Sequence, residues 1–459
     1  MAMSRGGSRV RSRLATRAAR YAAGKALRKQ VPRSSQASFV AAKDRPDPVE
    51  LLERADRTRV ARLLPIRYGR MALSPFTFLR GSAVVMAHDL ATTPVTGLRV
   101  QLCGDAHVGN FGVFATPERD RAFDLDDFDE TLPGPWEWDV KRLATSLVLA
   151  GRQNGFPKGD ARKAARMAVR AYRRYMAMYA PMRYLDIWYA HIDLESLPKD
   201  VPRAARKDVR RALAKARHRT VFSAFPRLVE SVHGRWRIRD DPPLIVHYSD
   251  RADAAISARF YRSYLASLPA ERRTLLERYR LVDVAQKVVG VGSVATVCSI
   301  LLLMGDTDVR DPLFLQLKQA EASALEPYLS ASVYLNHAER VVVGQHLIQQ
   351  ASDALLGWGT LDSKDFYVRQ LRDMRGSTDI GILSPRELIG KGEACGAALA
   401  RAHARTGDPA RISGYLGEGD AFVEAITDFA EAYADQTERD YAAFLRAIKK
   451  GRLPAEAGV

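Results

Sequence analysis

At 459 residues, with 47% apolar and 27% charged side chains, the chain has the make-up of a globular protein of two or three packed units. No run of about 20 apolar residues is present, which excludes a membrane-spanning helix, and three widely spaced cysteines, Cys103, Cys298 and Cys395, exclude a disulfide framework and a CxxC metal pair and favour a reducing, cytoplasmic setting. The formal net charge of +18 makes a polyanion a candidate partner.

Residues 1 to 33 hold ten Arg or Lys and no acid, without the apolar core of a secretory signal. Residues 1–45 therefore read as a basic flexible tail suited to weak polyanion contact, with helical tendency over RLATRAARYAAGKALRKQ. A polar linker follows, and residues 76–95 predict an amphipathic helix. LRVQLCGD predicts a short strand ending in Gly104-Asp105, RAFDLDDFDE a strand that turns acidic, and WDVKRLATSLVLAGRQNG a helix with Val140, Leu143, Leu147 and Val148 on its apolar side. Residues 159–182 form another helix. Within the mixed region 186–250, Arg203 to Arg219 holds eight Arg or Lys against one Asp, either a solvated helix face or a polyanion contact. Residues 253–279 are helical.

The pattern then changes to strands. LVDVAQKVVGVGSVATVCSILLLMG and DPLFLQLKQA are β-rich runs separated by the turn residues Gly305, Asp306 and Asp308. In the second, Leu313, Leu315 and Leu317 alternate with Phe314, Gln316 and Lys318, predicting a half-buried strand whose other face carries the lysine. Residues 337–355 predict a helix, FYVRQLRDM a strand, and residues 386–450 mostly helices. The organisation that follows is a tail (1–45), a helical part with the acidic motifs (46–279), a strand-rich lobe (280–375) and a C-terminal helical part (376–459).

The most informative local pattern is GDAHVGNFG, residues 104–112. Asp105 and Asn110 stand at the Asp-x-x-x-x-Asn spacing of a phosphoryl-transfer loop, in which the Asp accepts the proton of the attacking hydroxyl and the Asn holds a metal ion. DLDDFDE adds Asp124, Asp126, Asp127 and Asp129. Four aspartates in six residues repel one another unless a cation sits among them, and a hard divalent cation bridging phosphates takes one or two such carboxylates.

On these residues the chain resembles the aminoglycoside phosphotransferases and choline kinases. GDAHVGN is similar to their GDxHxxN motif, Asp127-Phe128-Asp129 to the metal-binding Asp-Phe-Glu or Asp-Phe-Asp, and Trp138-Asp139-Val140 to a Tyr-Asp-Leu whose Asp braces the catalytic loop. The chain from about residue 45 onward also resembles a bacterial family known as domain of unknown function 2252, through segments such as IRYGRMALSPFTFLRG, FDLDDFDETLPGPWEWDVKRLATS, FLQLKQAEASALEPY and LARAHARTGD.

GVGSVA, residues 290–295, brings Gly290, Gly292 and Ser293 between two strands, either a hairpin bend or a loop whose N–H groups approach a phosphate. Ala295 stands where a kinase-type loop has its third glycine. Lys318 matches the strand lysine that grips phosphates; Glu339, opening ERVVVGQHLIQQ, is its expected partner, with Glu321 and Glu326 as alternatives. Loop and lysine follow the acidic motif instead of preceding it, as in a circularly permuted arrangement. His107 reads as a loop-holding residue or a metal or phosphate contact, His403 as a packing residue, Arg70 and Arg80 as partners in ordinary salt bridges or as anion ligands.

The expected fold is α+β: a two-lobed, protein-kinase-like arrangement, circularly permuted, mostly helical with a small antiparallel sheet lobe. ATP with Mg²⁺ or Mn²⁺ would sit between the lobes. Asp105 and His107 would be catalytic, Asn110, Asp127, Asp124 and Asp129 the metal set, Gly290, Gly292, Ser293, Lys318 and Glu339 the nucleotide grip, and Asp139 the brace. The function expected is transfer of phosphate to a hydroxyl acceptor. The alternatives are a metal-dependent phosphohydrolase using the Asp/His cluster and an inactive nucleotide-binding pseudokinase.

Overall fold

The computed structural model describes residues 15–191, 221–247, 252–305, 311–371, 379–456 and 458. Residues 1–14, the basic stretch 203–219, and the turn residues Asp306 and Asp308 lie outside the described residues. The fold is mixed helix and antiparallel sheet, the α+β class expected.

The N-terminal helices are α1 (Arg17–Ala26), α2 (Pro48–Ala55), α3 (Leu64–Met71), α4 (Pro75–Gly81) and α5 (Ala83–Leu90). The single helix expected over 76–95 is two. Ser74 and Thr77 form a capping box that starts α4 with Pro75 in its first turn. Ser82 then leaves helical geometry, at φ −119° and ψ 42°, and divides α4 from α5.

Two small two-stranded sheets follow. β1 (Arg99–Leu102) pairs with β4 (Leu132–Pro135), and β2 (Phe111–Ala115) with β3 (Arg121–Leu125). They hold the two motif loops, 103–110 and 126–131, side by side. α6 (Trp136–Gln153), α7 (Lys158–Tyr179) and α8 (Tyr184–Tyr189) come next. α6 is buried from Trp136 to Gly151, all round its axis, because the main core closes over every face of it.

After α9 (Val221–Leu228), β5 (Val229–Val232), β6 (Arg235–Ile238), β7 (Ile245–Val246), α10 (Ala252–Ser267) and α11 (Ala270–Leu276), the strands β8 (Arg280–Lys287), β9 (Cys298–Met304) and β10 (Pro312–Ala320) lead to α12 (His337–Ile348), β11 (Gly357–Leu361) and β12 (Lys364–Gln370). α13 (Pro385–Thr406), α14 (Pro409–Leu416) and α15 (Ala421–Lys449) complete the chain. Six strands form one antiparallel sheet in the order β11-β12-β10-β9-β8-β7.

β10 corrects the half-buried expectation: all nine of its residues are buried. Leu313, Leu315 and Leu317 pack with Phe260, Tyr264 and Leu276 on one side. On the other, Phe314 packs with Ala224, Leu228 and Ile300, and Gln316 and Lys318 turn towards the acidic loop. Alternation reads as half-buried when it is polar against apolar, but here the polar face meets other polar side chains instead of water.

The flexible tail expected up to residue 45 is corrected over residues 15–45. α1 lies across α14 in a contact too close for side chains: a Cβ on Gly24 would fall 1.9 Å from the Arg411 carbonyl oxygen, and one on Gly414 2.1 Å from that of Tyr21. Phe39 packs edge-on against Tyr433, with ring centroids 4.8 Å apart. Arg45 is buried between Asp89 and Asp440, at 2.6 Å from each. Basic composition suggested solvation, but Arg20 pairs with Asp408, and Arg28 and Arg33 donate to the carbonyls of Tyr415 and Leu416.

Candidate functional site

β1 delivers the chain into the loop at Cys103. Gly104 adopts φ +85°, and a Cβ there would lie 2.2 Å from the Glu130 carbonyl oxygen, so the crossing of the two motif loops requires glycine. Asp139, in the first turn of α6, accepts the N–H of Cys103 at 2.7 Å and of Gly104 at 3.0 Å. Buried His403 approaches the same carboxylate at 3.2 Å through Nε2 and meets the Tyr172 hydroxyl at 2.9 Å through Nδ1. The brace expected of Asp139 is thus held from behind by a third residue.

Asp105, fixed by this backbone, is only 17% exposed in its side chain. Its Oδ1 accepts from Arg142 at 2.7 Å, one turn beyond Asp139 on α6. His107 Nε2 lies 3.7 Å from Asp105 Oδ2, while its Nδ1 accepts the Gly109 N–H at 3.1 Å; accepting there places the neutral ring's proton on Nε2. Burial, then the charges of Arg80 and Arg142, push the His107 pKa well below its ordinary value. Asn110 donates from Nδ2 to the Asp105 carbonyl at 2.9 Å, which leaves its Oδ1 uncommitted by that bond. Its own carbonyl accepts the Asp126 N–H at 3.1 Å, tying one motif loop to the other.

The aspartates of the acidic run have different fates. Asp124 is fully buried, bonded to Arg401 Nη2 at 2.5 Å and to the Gln350 N–H at 2.7 Å. That corrects its expected place in a metal set, because its lone pairs point into the helical body. Asp129 accepts from Lys318 Nζ and, at 2.9 Å, from the Tyr367 hydroxyl. Burial opposes its ionisation, but Lys318 outweighs it and the Asp129 pKa is lowered. Asp127 keeps 30% exposure and lies 3.7 Å from Lys318 Nζ. Its Oδ1 is buried without a hydrogen-bond partner. Burial first, then the neighbouring Asp129 charge, raise the Asp127 pKa to about 6.

Lys318 therefore reaches the acidic loop directly from β10, and its pKa is raised because the two carboxylates outweigh its burial. The pairing expected with Glu339, or alternatively Glu321 or Glu326, is corrected: the ion-pair partners of Lys318 are Asp127 and Asp129. The next residue, Arg340, turns inward from α12 and donates to the carbonyls of Thr131 at 2.6 Å, Asp129 at 2.8 Å and Glu321 at 2.8 Å. Glu339 sits in the first turn of α12, capped by Asn336. Arg369 donates to the Asp126 carbonyl at 3.1 Å and to Gln316 at 3.0 Å.

Gly292 and Ser293 line one cavity with Asp105, Asp127, Asp129 and Arg80. Gly290, at φ +72°, makes the bend before them. The loop is held by arginines of the N-terminal segment: Arg67 donates to the carbonyls of Val291 at 3.1 Å and Gly292 at 2.8 Å, Arg70 to that of Gly290 at 2.7 Å, and Arg59 to that of Val294 at 2.7 Å. The cavity encloses about 100 Å³, the room of a phosphoryl group and well below the roughly 300–1,000 Å³ of a small-molecule cleft.

Sequence reasoning missed Arg142, Arg340 and Arg401. Arg142 alone left a signal, three residues after Asp139 and so on the same side of a helix. Arg340 and Arg401 are reached through long-range packing that no spacing encodes.

Among curated proteins and among solved structures nothing matches the chain. The family described as an uncharacterized protein conserved in bacteria, DUF2252, matches residues 59–447. A match over that span means that the chain belongs to the DUF2252 family.

Proposed function

We propose that the chain is an ATP- and Mg²⁺-dependent phosphotransferase (with Mn²⁺ as an alternative metal) that acts on a hydroxyl acceptor. In this reading the six-stranded sheet and the helical body are the two lobes of a permuted, protein-kinase-like arrangement. The observation that carries it is Lys318 Nζ at 3.7 Å from Asp127 Oδ1, with the glycine loop on the same cavity wall as Asp105 and Asp127. A lysine distant in sequence reaches this acidic loop on a sheet that also presents the loop, the convergence that phosphate binding requires.

A divalent cation fits the residues present. Asp127 offers a buried oxygen with no hydrogen bond, and Asn110 has given its N–H to Asp105. Among the described residues no group of three His, Cys, Asp or Glu offers an all-protein cage, which agrees with a metal held by one or two side chains together with substrate phosphates. Bound there, the metal would neutralise phosphate charge and favour attack on the terminal phosphorus.

The chain's own residues do the rest. Asp105, oriented by Arg142 and His107, takes the proton of the acceptor hydroxyl as its oxygen bonds to the terminal phosphorus. The bond from that phosphorus to the bridging oxygen breaks, and its electron pair leaves with ADP. Lys318, freed from part of its pairing, holds the phosphates, and Asp139 keeps the loop rigid. Because the cavity is small, nucleotide entry requires the glycine loop to part from Arg67 and Arg70, a lid-like motion.

Nucleotide binding by the full-length protein with and without Mg²⁺ tests the reading. Mg·ATP is expected to raise the melting temperature by binding the native state, and Asp127→Asn to abolish the metal-dependent part while the ligand-free variant stays folded. An unchanged response in Asp127→Asn would remove Asp127 from the site, and no response in the wild type would remove the nucleotide.

A further inference from the structure

Arg59, Arg67 and Arg80 line the cavity, and Arg142 and Arg340 hold the motif loops beside it; four of these five are committed. Arg67 holds Asp56 and three carbonyls, Arg142 holds Asp105 and the Leu79 carbonyl, Arg340 binds three carbonyls, and Arg59 pairs with Asp56. Arg80 differs. It lines the cavity, its Nε is buried with no hydrogen-bond partner, and among the described residues its guanidinium makes no ion pair within 4.0 Å. The ordinary salt bridge considered for it from sequence is not formed among the described residues. Its guanidinium lies over the face of Phe76, 5.9 Å from the ring centroid.

We propose that Arg80 binds a phosphoryl group in this cavity, beside Asp105 and Asp127. A buried guanidinium N–H with no acceptor, as at Arg80 Nε, is costly unless a ligand completes it. The planar fork of arginine matches two phosphate oxygens. Arg80 shares the cavity wall with Asp105 and Asp127, where the acceptor, the metal and the transferred group would meet. Lys318 is unsuited to the task in this state, being already bound to Asp127 and Asp129.

The position is built. Arg80 ends α4, whose start is fixed by the Ser74–Thr77 capping box. Glycines stand on both sides: a Cβ on Gly109 would come within 3.6 Å of Arg80 Nε, and one on Gly292 within 3.0 Å of the Arg80 carbonyl oxygen. The backbones of both loops therefore lie close against the arginine. The source of the phosphoryl group, the terminal phosphate of ATP, rests on the function proposed above; the anion site itself does not.

The test compares Mg·ATP, Mg·ADP and inorganic phosphate on the full-length protein and on Arg80→Gln, by calorimetric affinity and melting temperature. If Arg80 holds the terminal phosphoryl, Arg80→Gln weakens Mg·ATP by about ten-fold or more, as for a lost charge-assisted bond, and leaves Mg·ADP nearly unchanged. Arg80→Lys keeps charge but not the fork and recovers part of the preference; it carries the comparison should the glutamine variant not fold. Equal weakening of ATP and ADP, or of neither, overturns the proposal and leaves Arg80 as a counter-charge to the aspartates. A wild type that ignores both nucleotides yet binds inorganic phosphate through Arg80 supports the anion site and sinks the nucleotide reading. A wild type that binds neither nucleotide nor phosphate overturns both.

Discussion

At the scale of single residues, what each carboxylate of the acidic run touches decides what it can do. Asp124 and Arg401 are both fully buried, so Asp124→Asn strands a guanidinium in the core. A loss of about 3–5 kcal/mol in denaturant-unfolding stability is expected, with the Mg·ATP response of the folded protein intact; loss of that response at unchanged stability would return Asp124 to the metal set. Asp127 carries the opposite signature. Its folded pKa of about 6 exceeds the unfolded value near 3.9, so the native state holds this proton more tightly, and ionising the group costs ligand-free stability progressively as pH rises from about 4 to 6. Protons and the cation compete for the same oxygen. Metal-dependent stabilisation by ATP is therefore expected to be weak below about pH 6 and to reach a plateau above it, and Asp127→Asn is expected to erase that step. A pH-independent metal response would contradict the assignment. The contact of Asp105 with Asn110 was legible because their spacing belongs to one loop. The separate fates of Asp124, Asp127 and Asp129 were not, because they depend on which cation reaches each one from elsewhere in the fold.

At the scale of elements, β10 is where strand periodicity was read well and its environment wrongly. The alternation placed Lys318 opposite the leucines, and the structure keeps it there, but that face meets the acidic loop instead of an open cleft. Replacing Lys318 by Met leaves Asp127 and Asp129 facing each other without their cation. A destabilisation of about 3–5 kcal/mol at neutral pH is expected, partly recovered on acidification as a carboxylate takes up a proton; equal loss at pH 5 and pH 8 would show that the pair contributes little. The contact of α1 with α14 is an element-scale surprise of another kind. Only two glycines permit it, so Gly414→Val is expected to expel α1, cost about 1–3 kcal/mol through overpacking and expose residues 17–30 to limited proteolysis. Unchanged protection would mean that the helices separate without penalty.

At the scale of the whole molecule, the two ends of the chain build one body. Tyr68 and Phe78 pack with Phe444 and Leu453, and Arg45 joins Asp89 of α5 to Asp440 of α15. Removing residues 1–14, which contain four arginines, is expected to reduce salt-sensitive retention on heparin and to leave the melting temperature unchanged. Removing residues 1–45 also takes away Phe39 and Arg45 and leaves Asp89 and Asp440 buried without their cation, so a large fall in melting temperature is expected. An equally stable protein after the longer deletion would show that the docking of this segment carries no energy.

The sequence by itself determined the local chemistry: a Gly-Asp loop with Asn five residues on from the Asp, an acidic run, a glycine bend before a lysine-bearing strand, and the α+β class. Each of these is a short-range pattern set by backbone period, turn propensity or charge spacing. The tertiary structure alone decided the partners. Lys318 takes Asp127 and Asp129 instead of Glu339, Arg401 withdraws Asp124 into the core, and a basic segment that composition assigned to solvent lies on the C-terminal helices. Arg80 shows the same division, since its sequence context suggested a salt bridge and the packing around it forms none among the described residues. Pairing energies depend on distances between residues far apart in the chain, and those distances exist only once the core has closed.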